Sequence, residues 1–273
     1  MATHGSAFPI AKLALNNNVP PILMASLRMG MVMLLLIPFW KFKIPDKKYL
    51  KSLILFSISM GVMVYVFMNL SLKHSSFISP IIIGAQLAVP FAVLLSAKMI
   101  GESISAKKWM YVILAFVGII IVFFDPELKN NLLGLFFASL MALFFAIAQV
   151  YSRQLKELSL IILNVYTGFF GFFVLIVVSF FVEGEVITNI KNINFESWIL
   201  ISYQAVIVSL FAHMSMFYLY KFYTVGQIFP FYSLFPIFGI ILTFLIFGEI
   251  PSLLFFIGSF IVISSVILLQ KTK

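Results

Sequence analysis

Apolar runs as long as a bilayer is thick occupy nearly the whole chain, and no other feature limits its fold so severely. A hydrocarbon core of about 30 Å is crossed by about 20 apolar residues in a helix. Inside that core every backbone amide and carbonyl must find its partner within the chain. Runs of this kind lie at about 7–15, 22–40, 52–72, 76–100 and 109–124, then at about 132–152, 158–182, 198–220, 228–247 and 253–269. Short polar breaks separate them, such as Asn16-Asn17-Asn18 before Pro20-Pro21, Asp125-Pro126 and Glu183-Gly184-Glu185. The chain is 63% hydrophobic and 10% charged, against roughly 25% charged in a soluble domain. These runs predict an all-α polytopic membrane protein of about ten transmembrane helices, with no room for a separate soluble domain.

The net charge of +9 would suggest nucleic acid in a soluble protein. Here the positive-inside rule explains it, and no nucleic-acid partner is expected. With the N-terminus inside, the inner loops hold Lys41, Lys43, Lys47, Lys48, Lys51, Lys98, Lys107, Lys108, Arg153, Lys156, Lys221, Lys271 and Lys273. The outer loops hold only Lys73, Lys129 and Lys191. Both termini are therefore expected in the cytoplasm. Trp40, Trp109 and Trp198 lie at span ends, where indole prefers the interface. The absence of cysteine excludes disulfides and thiolate metal sites. His4, His74 and His213 are not spaced as ligands, so no metal and no cofactor is expected. The first fifteen residues lack the charged start and apolar block of a cleavable signal peptide.

Two stretches read almost alike: Ile100-Gly101-Glu102-Ser103-Ile104-Ser105 and Phe247-Gly248-Glu249-Ile250-Pro251-Ser252. Each joins two apolar runs. A charged hinge repeated at such a distance divides the chain into two related halves, 1–127 and 128–273. Five spans per half is an odd number, so the second half must enter the membrane upside down relative to the first. Inverted repeats make two mirror-related states nearly equal in energy, as alternating access requires. A duplication that only builds a scaffold is the other reading. Pro90 and Pro236 stand at nearly the same distance before their hinge Glu, and helices broken by Pro and Gly point to a central site. The first span is short, because Met1 to Ser6 is not apolar.

The order of motifs resembles the ten-span EamA branch of the drug/metabolite transporter superfamily. His4-Gly5-Ser6-Ala7-Phe8…Lys12 is similar to the family's first-span pattern Trp-Gly-x-x-Phe-x-x-x-Lys, with His4 where Trp is common. Pro20-Pro21…Ala25-Ser26-Leu27-Arg28 is similar to its second-span Arg motif. The two Gly-Glu hinges precede the closing helix of each half. Phe229-Pro230-Phe231-Tyr232-Ser233-Leu234-Phe235-Pro236 resembles the ninth span of exporters of the O-acetylserine/cysteine type. The resemblance implies two inverted five-helix EamA repeats, with the first helix truncated, and membrane transport of small molecules.

Polar groups within spans are costly and line cavities or pair. Arg28 lies about seven residues into the second span, roughly 10 Å deep at about 1.5 Å per residue. It reads either as a clamp for a substrate carboxylate or as a side chain that snorkels outward or pairs with a helix-end carbonyl. Lys12 is expected to snorkel. Gln86, beside Gly84 and between Pro80 and Pro90, is a candidate for the substrate cavity. His213, mid-span, is a candidate for proton coupling or for packing. Gln149, Tyr151, Tyr203, Gln204 and Tyr232 are candidates for the same cavity or for interhelical hydrogen bonds. Glu102 and Glu249 are expected to accept bonds from free amides at the start of the next helix. No carboxylate lies mid-span, so substrates bearing a carboxylate are favoured and bare cations disfavoured.

The expected function is export of small amino-acid-like metabolites across a bacterial inner membrane. The alternative is a carrier of nucleotide-like cofactors such as S-adenosylmethionine, or of drugs; a non-transporting scaffold ranks lower. An enzyme is not expected, for no acid, base and metal set is grouped and no Gly-x-Ser-x-Gly occurs. The expected partners are the bilayer and a small-molecule substrate, with a homodimer left open. Reporter fusions after Lys51 and Lys108 should read cytoplasmic, and those after Lys129 and Lys191 external. Reversal at two of these sites would overturn the orientation.

Overall fold

The computed structural model describes residues 1–40, 44–100, 104–212, 214–215, 218 and 234–272, the side chains of Ile100 and Asn130 excepted. A helical turn, Ala2–Gly5, leads into the short helix α1 (Ala7–Asn16). Helices α2 (Pro21–Phe39), α3 (Lys47–Lys73), α4 (Ser79–Met99), α5 (Ala106–Phe123), α6 (Leu132–Gln154), α7 (Leu160–Val182) and α8 (Phe195–Ala212) follow. The short helix α9 (Phe235–Phe247) and then α10 (Leu253–Lys271) complete the order. A further short helix, Val186–Asn192, joins α7 to α8. Eight of these helices, α2 to α8 and α10, are long and apolar enough to cross a membrane. Helix α1 has 10 residues against 23 in α6, in line with the short first run.

The polar breaks serve as helix caps. The first turn of a helix has amides without intrahelical partners, and a Ser or Asn oxygen just before it accepts one of them. Ser105, Ser159, Asn194 and Ser252 accept from the N–H of Lys108, Ile162, Ser197 and Phe255, at the starts of α5, α7, α8 and α10. Gly248 ends α9 with φ 66°, a left-handed conformation natural to glycine. The two hinge stretches are alike here too, since Ser105 and Ser252 each stand three residues after their Glu.

Helices α3, α4 and α8 are not regular throughout. Residues 85–87 of α4 tighten into a 3₁₀ turn just after Gly84 and before Pro90. Ile58–Met63 in α3 and Gln204–Ala212 in α8 widen into π-helical turns. The Pro and Gly of α4 foreshadow the first of these and Gly61 lies inside the second, while Gln204–Ala212 of α8 holds neither Pro nor Gly.

Large apolar side chains point outward all along the spans, among them Ile113, Phe180, Phe181, Leu245 and Phe260. A bilayer is the solvent for such a surface. The interior is equally apolar, built on Leu23, Ile78, Ile81, Ile82 and Leu135. Lipid removes most of the hydrophobic drive between helices, so close van der Waals fit holds them together. Helices α5 and α10 meet where Gly118 faces Gly258. A Cβ on Gly258 would stand 2.7 Å from the Gly118 carbonyl oxygen and 2.7 Å from Val122 Cγ2. Backbone cannot retreat as a flexible side chain can. Gly258→Val should therefore lower stability by about 1–3 kcal/mol, read as a lower melting temperature in detergent, whereas Ile257→Val on the outer face should leave it nearly unchanged.

Candidate functional site

A cavity of about 1020 Å³ lies among α1, α3, α4, α6, α7 and α10, with single residues of α2, α5, α8 and α9 reaching it. Its wall includes His4 and Phe8 from the start of the chain, Arg28 from α2, Tyr65 and Met68 from α3, Gln86 and Ser96 from α4, and Gln149 from α6. It continues to Lys108, Arg153, Lys156, Ser159 and Thr272, all at helix ends, which form its mouth. In the other direction the wall stops at Phe8, Met68, Ala85 and Met141. Among the described residues the cavity is thus open at one end of the bundle and shut at the other. At the mouth, Tyr49 donates to Glu157 and Ser52 donates to Gln154. The Tyr49 hydroxyl, followed by the neighbouring Lys48 ammonium, holds the Glu157 carboxyl below its ordinary range.

Arg28 is the charged group deepest in this wall. Its side chain is 4% exposed. Nε donates to Ser209 Oγ at 2.9 Å, and Nη1 donates to Gln204 Oε1 at 2.7 Å. The guanidinium carbon lies 4.2 Å from the centre of the Tyr65 ring, a cation–π distance. Gln204 in turn donates to the Ala7 carbonyl at 2.6 Å, so the acceptor itself is anchored. The π turn of α8 makes this cradle. In an α-helix of about 3.6 residues per turn, positions five apart diverge by roughly 140°. The i to i+5 bonding of a π turn stacks them instead, and Ser209 comes to the same face as Gln204. Every named partner of the guanidinium is neutral. Among the described residues of the wall, His4, Arg28, Lys108, Arg153 and Lys156 carry or accept positive charge, and none is Asp or Glu.

The other sequence candidates separate. Gln86 and Gln149 line the cavity with Arg28. Gln86 is buried in the 3₁₀ turn, and its Nε2 has no hydrogen-bond partner among the described residues. Tyr203 is not in the wall; its hydroxyl pairs with Ser6 Oγ at 2.9 Å and ties α8 to the start of α1. Of its two expected roles, cavity wall or interhelical bond, the structure shows the second. Pro90 lies in α4 just beyond the 3₁₀ turn, and Pro236 lies in the first turn of α9 beside the wall residue Phe235. Glu102, His213 and Tyr232 lie outside the described residues.

Two further expectations need correction. Lys12 does not snorkel: its Nζ donates to the carbonyls of Leu72 and Ser75 at 2.6 and 2.7 Å. The Leu72 carbonyl lies in the last turn of α3 and the Ser75 carbonyl in the loop just after it, and Lys12 supplies a donor to both. Glu249 does cap a helix start, but not that of the next helix. Its two oxygens accept from the amides of Ile78 and Ser79, at 2.7 and 2.8 Å, at the start of α4. Ser252 already fills the cap of α10. A second carboxylate does the same and was read from sequence only as part of a break. Glu183 accepts from the amides of Ile22 and Leu23 at 2.7 and 2.9 Å, at the start of α2. The signal was its position at the end of an apolar run, like that of Glu249.

Apolar helices of spanning length around a one-ended cavity define a multi-pass membrane protein. A model of the EamA-like transporter family matches residues 1–124 and 132–270. The chain belongs to the EamA-like transporter family and is thus a membrane transporter. No curated protein matches it. A solved crystal structure matches with a TM-score of 0.59 and 14% identity, covering 97% of this chain and 94% of that one. At that identity the likeness bears on the fold alone.

The cradle has its own consequence. Gln204→Leu removes one acceptor from a buried guanidinium and should lower stability by about 1.5–3 kcal/mol, the range for hydrogen bonds to charged groups. Thermal unfolding of the purified protein measures it. A melting temperature equal to wild type would show that the cradle does not hold Arg28.

Proposed function

We propose that this transporter works by alternating access and exports small amino-acid-like metabolites, each held by its carboxylate on Arg28. The carrying observation is a buried guanidinium with neutral partners beside a cavity whose described wall has no acid. A cation at a helix centre costs about 2.5–3.5 kcal/mol on insertion scales. Ser209, Gln204 and Tyr65 orient it without neutralising it. A carboxylate from the substrate would do so, in the planar bidentate geometry that guanidinium favours. Gln86 and Gln149 would offer polar contacts to the rest of the molecule.

We further infer two inverted five-helix halves in a bacterial inner membrane with both termini cytoplasmic. The two family-matched stretches and the paired hinge stretches support that arrangement. In this orientation the open mouth at Lys108, Arg153 and Lys156 faces the cytoplasm. The volume favours a second reading. Ligand sites run from about 300 to 1000 Å³, so a nucleotide-like cofactor such as S-adenosylmethionine, which also bears a carboxylate, would fit.

A metabolite screen on cells with and without the protein, followed by proteoliposome transport, separates the two cargoes. Arg28→Lys keeps the charge and loses the fork, while Arg28→Gln loses both. At matched expression each should reduce transport of the carboxylate-bearing cargo at least tenfold. Wild-type rates in both would remove Arg28 from the substrate site.

A further inference from the structure

At the shut end of the bundle two carboxylates do the same unusual thing. Each stands at the end of a helix in the stretch 132–270 and reaches across to the first amides of a helix in the stretch 1–124. Glu183 follows α7 and takes the N–H groups of Ile22 and Leu23. Glu249 follows α9 and takes those of Ile78 and Ser79. Each thus satisfies two amides that the helix cannot, and sets a negative charge at its positive end. The helices so held are α2, which carries Arg28, and α4, which carries Gln86.

We propose that Glu183 and Glu249 are the closing residues of the transport cycle: together they latch shut the end of the cavity opposite its mouth. This rests on the alternating-access reading. The position fits, since the cavity wall stops at Phe8, Met68 and Ala85, short of the two contacts. Between them lies a plug of buried apolar side chains, with Ala11, Leu72, Ile78 and Ile82 all at 2% exposure or less.

The chemistry fits as well. Two hydrogen bonds that one carboxylate accepts from backbone amides are strong, and rotation of that one side chain releases both together. A glycine stands beside each Glu. Gly184 follows Glu183 with φ 64°, and Gly248 precedes Glu249 with φ 66°. No heavy atom stands within 4 Å of the place a Cβ would occupy on either one. When the latches part, the amides of α2 and α4 and the two carboxylates all meet water at the membrane surface, where hydration offsets the lost bonds.

The absence of native cysteine allows a direct test. Ala11→Cys reports on the plug and Ser152→Cys on the mouth, each labelled by a membrane-impermeant maleimide in membranes open on both sides. In Glu183→Gln with Glu249→Gln, labelling of Ala11→Cys should quicken at least tenfold and that of Ser152→Cys should slow severalfold. The reciprocal change is what a merely structural role would not produce. Unchanged labelling of Ala11→Cys at matched expression overturns the proposal, and so does a rise at both sites together, which marks general loosening. Glu183→Asp with Glu249→Asp keeps the charges but shortens the reach, and should move both rates the same way by less. If neither pair can be recovered folded, the carboxylates are structural ties and the proposal fails, because a latch must open without unfolding. The transporter reading is judged separately. If the two reporters of the wild-type chain respond to transported substrate while the Glu substitutions do not move them, only the latch falls.

Discussion

A backbone amide inside a hydrocarbon layer has no water to turn to, and this structure is organised around that constraint. Regular helices meet it along their length but leave their first amides and last carbonyls open. The chain closes these ends in two ways. Local caps at Ser105, Ser159, Asn194 and Ser252 serve helices that begin just after them. Distant side chains serve three others: Glu183 for α2, Glu249 for α4 and Lys12 for the end of α3. The second way ties remote parts of the chain together. A requirement of local backbone chemistry thereby becomes the tertiary link that brings α2 and α4 to the cavity.

Arg28 follows from the same economy of polar groups. A buried cation needs oxygen acceptors on more than one side, and a straight α-helix presents its side chains on diverging faces. The π turn in α8 overcomes this by stacking Gln204 and Ser209. It does so without a counter-charge, and the Tyr65 ring completes the enclosure. What results is an oriented guanidinium at the wall of a large cavity, with no counter-charge among the described wall residues.

The cavity also explains why irregular backbone gathers where it does. The 3₁₀ turn of α4 and the π turns of α3 and α8 lie in helices whose residues meet at or near the wall. Non-helical backbone at membrane depth is tolerated where it borders protein or a water-filled space. By contrast α5 and α10, which mostly pack on each other through Gly118 and Gly258, run as unbroken helices.

The sequence by itself determined the class of fold, most of the span boundaries, the shortness of α1 and the candidacy of Arg28, Gln86 and Gln149. All of these follow from local quantities: run length, polar breaks, and the cost of a polar residue within an apolar run. It could equally mark Glu249 as a helix-capping residue, from its place beside Gly248 at the end of a run. Which helix it caps was beyond its reach. Ile78 and Ser79 are far away in the chain, and an unpaired amide looks alike at the start of every helix. The same holds for Lys12, whose carbonyl partners are Leu72 at the end of α3 and Ser75 in the loop after it, and for Tyr203, whose hydroxyl meets Ser6. Ser209 was invisible as a partner of Arg28 because residue type does not announce a π turn. Only the tertiary structure decided these pairings, because a hydrogen bond is chosen by distance in space, and distance in space is set by how the helices pack.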